Sequence, residues 1–238
     1  CVLEYTVEAG RPDTVDYEKF KMLRSMGATR VCVNPQTMNS KVLEAIGRRH
    51  SPEDAKTAYA EARRAGIEAI NMDLIAGLPS DDLDGFCRSV DNLASGLRPE
   101  NITVHTLSLK RGSRLRCEGA GVPDARTVSA MLSYAAARLR DEDYVPYYLY
   151  RQKFMAGSFE NVGWTLPGYE GLYNIAIMEE LHTILSLGAG GVTKLVNPKT
   201  GRIERIFNPK YPNEYIENTE KLIDEKNYLL SFYSDILI

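Results

Sequence analysis

Apolar and polar positions along this chain alternate first with a period of two and then with a period near 3.6, and the exchange repeats. Val2–Glu8 (Val-Leu-Glu-Tyr-Thr-Val-Glu) alternates and is rich in β-formers, which predicts a strand closed by a turn at Glu8-Ala-Gly-Arg-Pro12. Asp16–Met26 carries Tyr17, Phe20, Leu23 and Met26 on one helical face, with Gly27 as its stop. Thr29–Val33 predicts a second strand, ended by Asn34-Pro35-Gln36, and Asn39–Ile46 a short helix with Val42, Leu43 and Ile46 inward. Ser51-Pro52-Glu53-Asp54 is a strong helix start: a Ser cap, Pro at the first position and acids in the first turn. Ala55, Ala58, Tyr59, Ala62 and Ala65 form the buried stripe of that helix, and Gly66 closes it. Asp82–Leu93 is helical, with Leu83, Phe86, Val90 and Leu93 in phase, and Asn101–Leu107 is a further strand.

Between the last two helices lies Ile70–Pro79, Ile-Asn-Met-Asp-Leu-Ile-Ala-Gly-Leu-Pro, around which the rest is arranged. Five of its first seven residues are apolar, and Gly77 and Pro79 end it sharply. So short an apolar run predicts a buried parallel strand. Asp73 in its middle costs on the order of 1–3 kcal/mol unless it is paired or faces a polar site. The strand–helix alternation predicts parallel βα units with a ligand cavity at the carboxyl ends of four strands. Four strands form an arc rather than a closed barrel and leave an unpaired edge.

After Leu107 the rhythm changes. Lys110–Gly121 reads as a basic, Gly-containing loop. Asp124 caps a helix reaching about Arg140, with Val128, Met131, Leu132, Ala135 and Leu139 inward. Tyr144–Tyr150 is a tyrosine-rich strand, and Met155–Gly171 reads as a long loop holding Trp164 and Tyr169. Leu181–Val196 passes through Leu187-Gly-Ala-Gly-Gly191. Asn197-Pro-Lys-Thr-Gly201 reads as a turn between two strands, the second being Arg202–Phe207. Pro212 starts a last helix with Tyr215, Ile216, Leu222 and Ile223 on one side, followed by an apolar, aromatic tail to Ile238.

At 238 residues the chain can bury one good core with a small appendage, and 44% hydrophobic with 26% charged residues is the composition of an ordinary soluble globular protein. A net charge of −3 without a basic block argues against nucleic acid as a main partner. No apolar run approaches a membrane span and no secretory signal is present, so no membrane partner is expected and the cytoplasm is the default compartment. Cys1, Cys32, Cys87 and Cys117 are far apart and make no metal spacing with His50, His105 or His182; reduced thiols are expected, Cys32 and Cys87 on apolar faces. The chain starts at Cys1 rather than Met, inside a strand-like segment.

Polar residues cluster where the strands end: Glu8, Gln36, Asp73 and Ser108, with Arg48 in the connection after the second strand. Placed above one arc, they offer two carboxylates, an amide, a hydroxyl and a guanidinium. That set suits a zwitterionic, hydroxylated ligand, with Arg for a carboxylate and acids for an ammonium or ribose hydroxyls. No Gly-x-Ser-x-Gly elbow or phosphate loop is present, and Gly188-Ala-Gly-Gly191 serves as a tight turn. His105 alternates within its strand, where lining the cavity and bonding within the core are both open. The Tyr144–Tyr150 cluster suits packing or a large planar ligand.

Asp73-Leu-Ile-Ala-Gly-Leu-Pro79 resembles the Asp-Leu-Ile-x-Gly-Leu-Pro motif of the oxygen-independent coproporphyrinogen III oxidase family, radical S-adenosylmethionine (SAM) enzymes. The resemblance covers most of the chain. Val7-Glu8-Ala-Gly-Arg-Pro12 is similar to a Glu-containing strand end of that family, Asn34-Pro35-Gln36-Thr-Met-Asn39 to its Gln motif, and Ile46-Gly-Arg48-Arg-His50 to the segment with its SAM-binding Arg. Leu187-Gly-Ala-Gly190 resembles a Gly-rich segment near its C-terminal part. Asn-Pro-Gln, Tyr-Leu-Tyr-Arg-Gln-Lys153 and Asn161-Val-Gly-Trp look closest to the coproporphyrinogen dehydrogenase (HemZ) branch.

The resemblance implies an α/β fold: a partial radical SAM (β/α)6 TIM-like barrel (the last four βα units) over residues 1–122, plus an α+β C-terminal region over 123–238. It implies SAM contacts at Glu8, Gln36, Arg48 and Asp73, and more loosely Ser108. It implies a [4Fe–4S] cluster, a porphyrinogen substrate and an electron donor such as flavodoxin or ferredoxin. The implied reaction is oxidative decarboxylation of coproporphyrinogen III propionates to vinyl groups. Relatives with the same motifs bind haem and pass it on, which is the rival expectation; a barrel-like binding domain without SAM chemistry is a third, favoured if Asp73 and Glu8 are both consumed in buried ion pairs. One departure is large: the family's Cys-x-x-x-Cys-x-x-Cys run and its Gly-Gly-Gly-Thr-Pro segment are absent. The chain reads as the family minus its first two βα units and is expected to be inactive alone, because thiolates hold the cluster.

Overall fold

The computed structural model describes residues 2–108, 121–151 and 159–234. Most of the loop expected over Lys110–Gly121, with Cys117 in it, lies outside the described residues, as do Cys1, residues 152–158 and the last four residues. The described chain divides into two compact units, Cys1–Gly171 and Leu172–Ile238.

In the first unit four parallel strands are laid down in chain order: β1 (Thr6–Gly10), β2 (Arg30–Val33), β3 (Ala69–Ala76) and β4 (Asn101–Thr106). The connections carry α1 (Tyr17–Ser25), α2 (Ser40–Ala45), α3 (Pro52–Arg64) and α4 (Leu83–Asp91), the last running into a π-helical turn at Asn92–Leu97. Local chemistry sets the helix starts. Asp16 accepts from Lys19 N to cap α1, Asp82 from Gly85 N to cap α4, and Ser51 with Asp54 closes a reciprocal capping box on α3. Helix α5 (Ala125–Asp141), capped by Asp124, packs against α4. The chain then returns through β5 (Val145–Tyr150) and β6 (Asn161–Thr165), giving the order β1-β2-β3-β4-β6-β5 with the last two pairings antiparallel. β4 is thus the last parallel strand, while the compact unit continues to Gly171. The architecture is α/β and matches the last four units of a partial barrel.

Three expectations need correction. First, the stretch read as a long loop over Met155–Gly171 contains β6, and Trp164 is 3% exposed in the core. Val162 and Trp164 alternate onto the core side, but only two apolar residues carry the pattern and Gly163 between them is a poor strand former. Second, β3 is not buried on both faces. Ile70, Met72, Leu74 and Ala76 are buried, whereas Asn71, Asp73 and Ile75 are half-buried. Third, Cys32 does not lie on an apolar face: it is in register with Glu8 on β1 and Asn71 on β3, on the polar side of the sheet. The apolar side carries Val31, Val33, Ile70, Met72, Leu74, Ile102, Val104 and Trp164, and packs with Phe20, Ala55, Ala58, Ala62, Phe86, Val90, Met131 and Leu139 of the helices into one core.

The second unit holds the expected hairpin, β7 (Val192–Val196) with β8 (Ile203–Phe207), around the Asn197–Gly201 turn. It also holds α6 (Leu172–Met178), which the sequence pattern did not signal. The last helix is two, α7 (Pro212–Glu217) and α8 (Thr219–Ser234), separated at Asn218. The Gly188–Gly191 run is a tight turn tied by Asn208, whose Nδ2 donates to Gly188 O at 2.7 Å; Gly188 and Gly190 take positive φ there.

Candidate active site at the carboxyl ends of the parallel strands

Because the helices cover one side of the sheet only, every second residue of β1–β4 points to the other side, and there most side chains are polar, Ile75 of β3 being an exception. They form three layers along the strands. At the amino ends, the buried Arg30 donates to Asn101 Oδ1 and to Tyr169 O (3.0 Å), and Asn101 Nδ2 donates to Thr165 Oγ1 (2.9 Å). This closed layer is a structural floor. In the middle, Thr103 Oγ1 donates to Asn71 Oδ1 (3.0 Å) and lies 3.3 Å from the Tyr148 hydroxyl. Tyr148 stands on β5, two strands from β4, and its ring crosses above Gly163 of β6 to get there. Burial holds its phenol protonated well above the usual range.

The top layer is open. Asn71 Nδ2 donates to Asp73 Oδ1 at 2.7 Å, and His105 Nε2 stands 3.4 Å from Asp73 Oδ2. The Tyr150 hydroxyl lies 3.3 Å from His105 Nδ1. A carboxylate only accepts, so Nε2 is the ring nitrogen that can donate to Asp73, while Nδ1 faces the Tyr150 hydroxyl. Around this group lies a cavity of about 310 Å³, lined by Gln36, Asp73, Ile75, His105, Ser108 and Tyr150 among others. Gln36 is fixed by its backbone: its N–H donates to Asp73 O (3.0 Å) and its carbonyl accepts from Ile75 N (2.9 Å), extending the β2–β3 pairing by one bridge. That bridge holds Gln36 at φ +70°, a left-handed conformation that a non-glycine residue adopts at a cost. His50, 3% exposed, pins the same loop by donating Nε2–H to Pro35 O at 3.0 Å.

Of the five residues expected to reach one cavity, the structure brings Gln36, Asp73 and Ser108 together. Glu8 and Arg48 are not among the lining residues. Glu8 is exposed on β1, where it accepts from Asn34 Nδ2 at 3.3 Å and borders the buried Cys32 thiol. Burial and the Glu8 carboxylate keep that thiol protonated. Arg48 is half-buried after α2, with its N–H on Leu43 O. Asp73 is held by Asn71 and faces His105, but the exposed Glu8 is not consumed in a buried pair, which removes half of what a non-SAM binding domain required. Asn71, Thr103 and Asn161 were overlooked. Their signal was the period-two polar alternation in Asn71/Asp73 and Thr103/His105, masked by the apolar residues between them.

The donor set fits SAM: Asp73 retains acceptor capacity for an ammonium or hydroxyl, and Gln36 and Ser108 can each donate and accept. It does not fit an iron–sulfur cluster. Among the described residues no group of His, Cys, Asp or Glu is placed to hold a metal, and the two described cysteines are free.

Four parallel strands with a cavity at their carboxyl ends define an α/β partial barrel with a ligand site in its lumen. The radical SAM superfamily profile matches residues 3–91, and this part of the chain belongs to a radical SAM domain. Over 227 residues the chain is 44% identical to the oxygen-independent coproporphyrinogen-III oxidase-like protein HemZ of Bacillus subtilis, covering 94% of this chain and 45% of that protein. It is 29% identical to the heme chaperone HemW of Haemophilus influenzae, covering 94% of this chain and 54% of that protein. Among solved structures, coproporphyrinogen III oxidase (HemN) from Escherichia coli superposes with a TM-score of 0.69 at 17% identity, over 92% of this chain and 49% of that one. The chain spans about half the length of the curated relatives it matches.

Proposed function

We propose that this chain is the SAM-holding part of a radical SAM enzyme that oxidatively decarboxylates the propionates of coproporphyrinogen III to vinyl groups. The observation that carries the reading is the convergence of Gln36, Asp73 and Ser108 on one cavity above β2–β4, in a chain 44% identical to HemZ. SAM with a [4Fe–4S] cluster supplies the hydrogen-abstracting radical when bound, and an electron donor such as flavodoxin or ferredoxin supplies the reducing equivalent. No Cys-x-x-x-Cys-x-x-Cys run occurs in these 238 residues, so none of their cysteines is assigned to the cluster. The residues here bind and orient. Asp73, pre-positioned by Asn71, receives the polar part of SAM, with Gln36 and Ser108 beside it. Arg48 and Glu8, which do not line this cavity, are the outer members of the proposed set, Arg48 for the carboxylate. Tyr148 and Thr103 form the layer beneath the cavity.

Similarity to heme chaperones over 94% of the chain favours a second reading, haem binding and transfer on the same fold. One experiment separates them: 5′-deoxyadenosine release by the full-length protein, reconstituted anaerobically with iron and sulfide, with and without coproporphyrinogen III. Substrate-stimulated release with loss of carbon dioxide supports the oxidase. Cluster and SAM binding without turnover, together with a Soret shift on haem titration, replaces it with the chaperone.

A further inference from the structure

The second unit contains a cavity that the proposed SAM site does not use. It measures about 420 Å³ and is walled by Tyr173, Ile177, Ile184 and Val192. Into it project Lys194 of β7 and Arg205 of β8, which stand directly opposite each other in the hairpin register. Like charges at directly opposed positions of an antiparallel pair repel, and Lys194 is 8% exposed, so water does little to screen it. One carboxylate answers both: Glu180 Oε1 lies 3.0 Å from Arg205 Nη2 and 3.6 Å from Lys194 Nζ. Glu180 takes φ +54°, a left-handed conformation costly for a residue with a side chain. Lys194 spends one further N–H on Ile177 O at 2.8 Å. Among the described residues two cations face one acid in the lining of this cavity, whose other members are Ser186 and the four apolar and aromatic side chains.

We propose that this cavity is a binding site for an apolar molecule bearing a carboxylate, whose charge is taken by Lys194 and Arg205 and whose body lies against Tyr173, Ile177, Ile184 and Val192. A bound carboxylate supplies a second anion beside Glu180, and a planar guanidinium with a buried ammonium is a strong donor set for it. The proposal does not depend on the SAM reading.

The test is fluorescence anisotropy of 1-pyrenebutyrate with the intact chain, against the uncharged 1-pyrenebutanol. The expected result is saturable one-to-one binding of the acid, at least about tenfold tighter than the alcohol. Lys194→Met and Arg205→Met each bring the acid toward the alcohol's affinity, while Glu180→Gln, which removes the competing carboxylate, tightens the acid alone. Circular dichroism checks each fold; if Lys194→Met does not fold, the half-exposed Arg205 decides. Equal binding of acid and alcohol, no saturable binding of either, or unchanged acid affinity in Arg205→Met overturns the proposal.

Discussion

Replacing Gly163 with alanine puts a methyl group into the space that the Tyr148 ring occupies. A Cβ built there falls 1.8 Å from Tyr148 Cε1, 2.3 Å from Cδ1 and 2.6 Å from Cζ. Carbon atoms in contact sit about 3.5 Å apart, so the ring must withdraw by about 1.7 Å. It has little room to do so: Tyr147 meets it edge-on with centroids 4.7 Å apart, and Tyr150 is stacked at 6.4 Å. Withdrawal breaks the contact of the phenol with Thr103, worth about 1 kcal/mol net, and repacks a half-buried ring at about 1–3 kcal/mol. The entropy advantage of alanine over glycine in a strand returns roughly 0.5–1 kcal/mol. The net expectation is destabilisation by about 1–3 kcal/mol, summed from those terms. Urea unfolding followed by the fluorescence of Trp164, the single tryptophan and a member of the same strand, reads this directly. The decisive comparison is the double-mutant cycle with Tyr148→Ala. With the ring gone, Gly163→Ala is expected to cost nothing or to stabilise. If it costs as much as in the native chain, within about 0.5 kcal/mol, the glycine is not there for the tyrosine and the layered description of the lumen is wrong.

Burial pushes Asp81 up to about 6, opposed by the Asp82 N–H that donates to its carboxylate and aided less by the Asp82 charge. The native state then holds a proton that the unfolded chain has released, so Asp81 makes stability fall as pH rises from about 4 to about 6 and level off above. Unfolding at several pH values is expected to show a shallower fall in Asp81→Asn across that window; superimposable profiles would discard the shift. Ser51→Ala removes one arm of the capping box on α3 and is expected to cost about 1 kcal/mol by chemical denaturation. In the full-length protein, Asp73→Asn is expected to weaken SAM at least about tenfold in equilibrium dialysis, the loss of one charge-assisted hydrogen bond. Arg48→Ala is measured beside it: unchanged SAM affinity removes Arg48 from the proposed set and leaves the three cavity residues standing.

What the pattern of residues made readable, and what it hid, follows from the range of the interactions involved. Helix starts are local: Ser51 and Asp124 cap where expected, and Asp16 and Asp82, read as the first residues of their helices, are their caps, because a cap reaches only two or three residues along its own chain. The parallel strands were legible for a related reason, since each is bounded by its own helix stop and turn. The site was half legible. Asp73 announces itself because an acid in an apolar strand demands an explanation, and Gln36 and Ser108 because they follow strand ends. The rest of the lumen depends on register. Thr103 meets Asn71 from 32 positions away, and Tyr148 meets Thr103 from 45, across a strand whose central glycine made it read as a loop. The same glycine that concealed β6 is therefore what lets an edge-strand tyrosine reach the middle of the sheet. Its anonymity in the sequence and its role in the structure have one cause, the missing side chain. Arg48 marks the opposite limit. Its type and spacing suited a carboxylate, yet its backbone is committed to Leu43 and its side chain is not part of the cavity lining. Residue type and a strand-end position gather candidates, but the alternation of the strands determines which of them share a cavity.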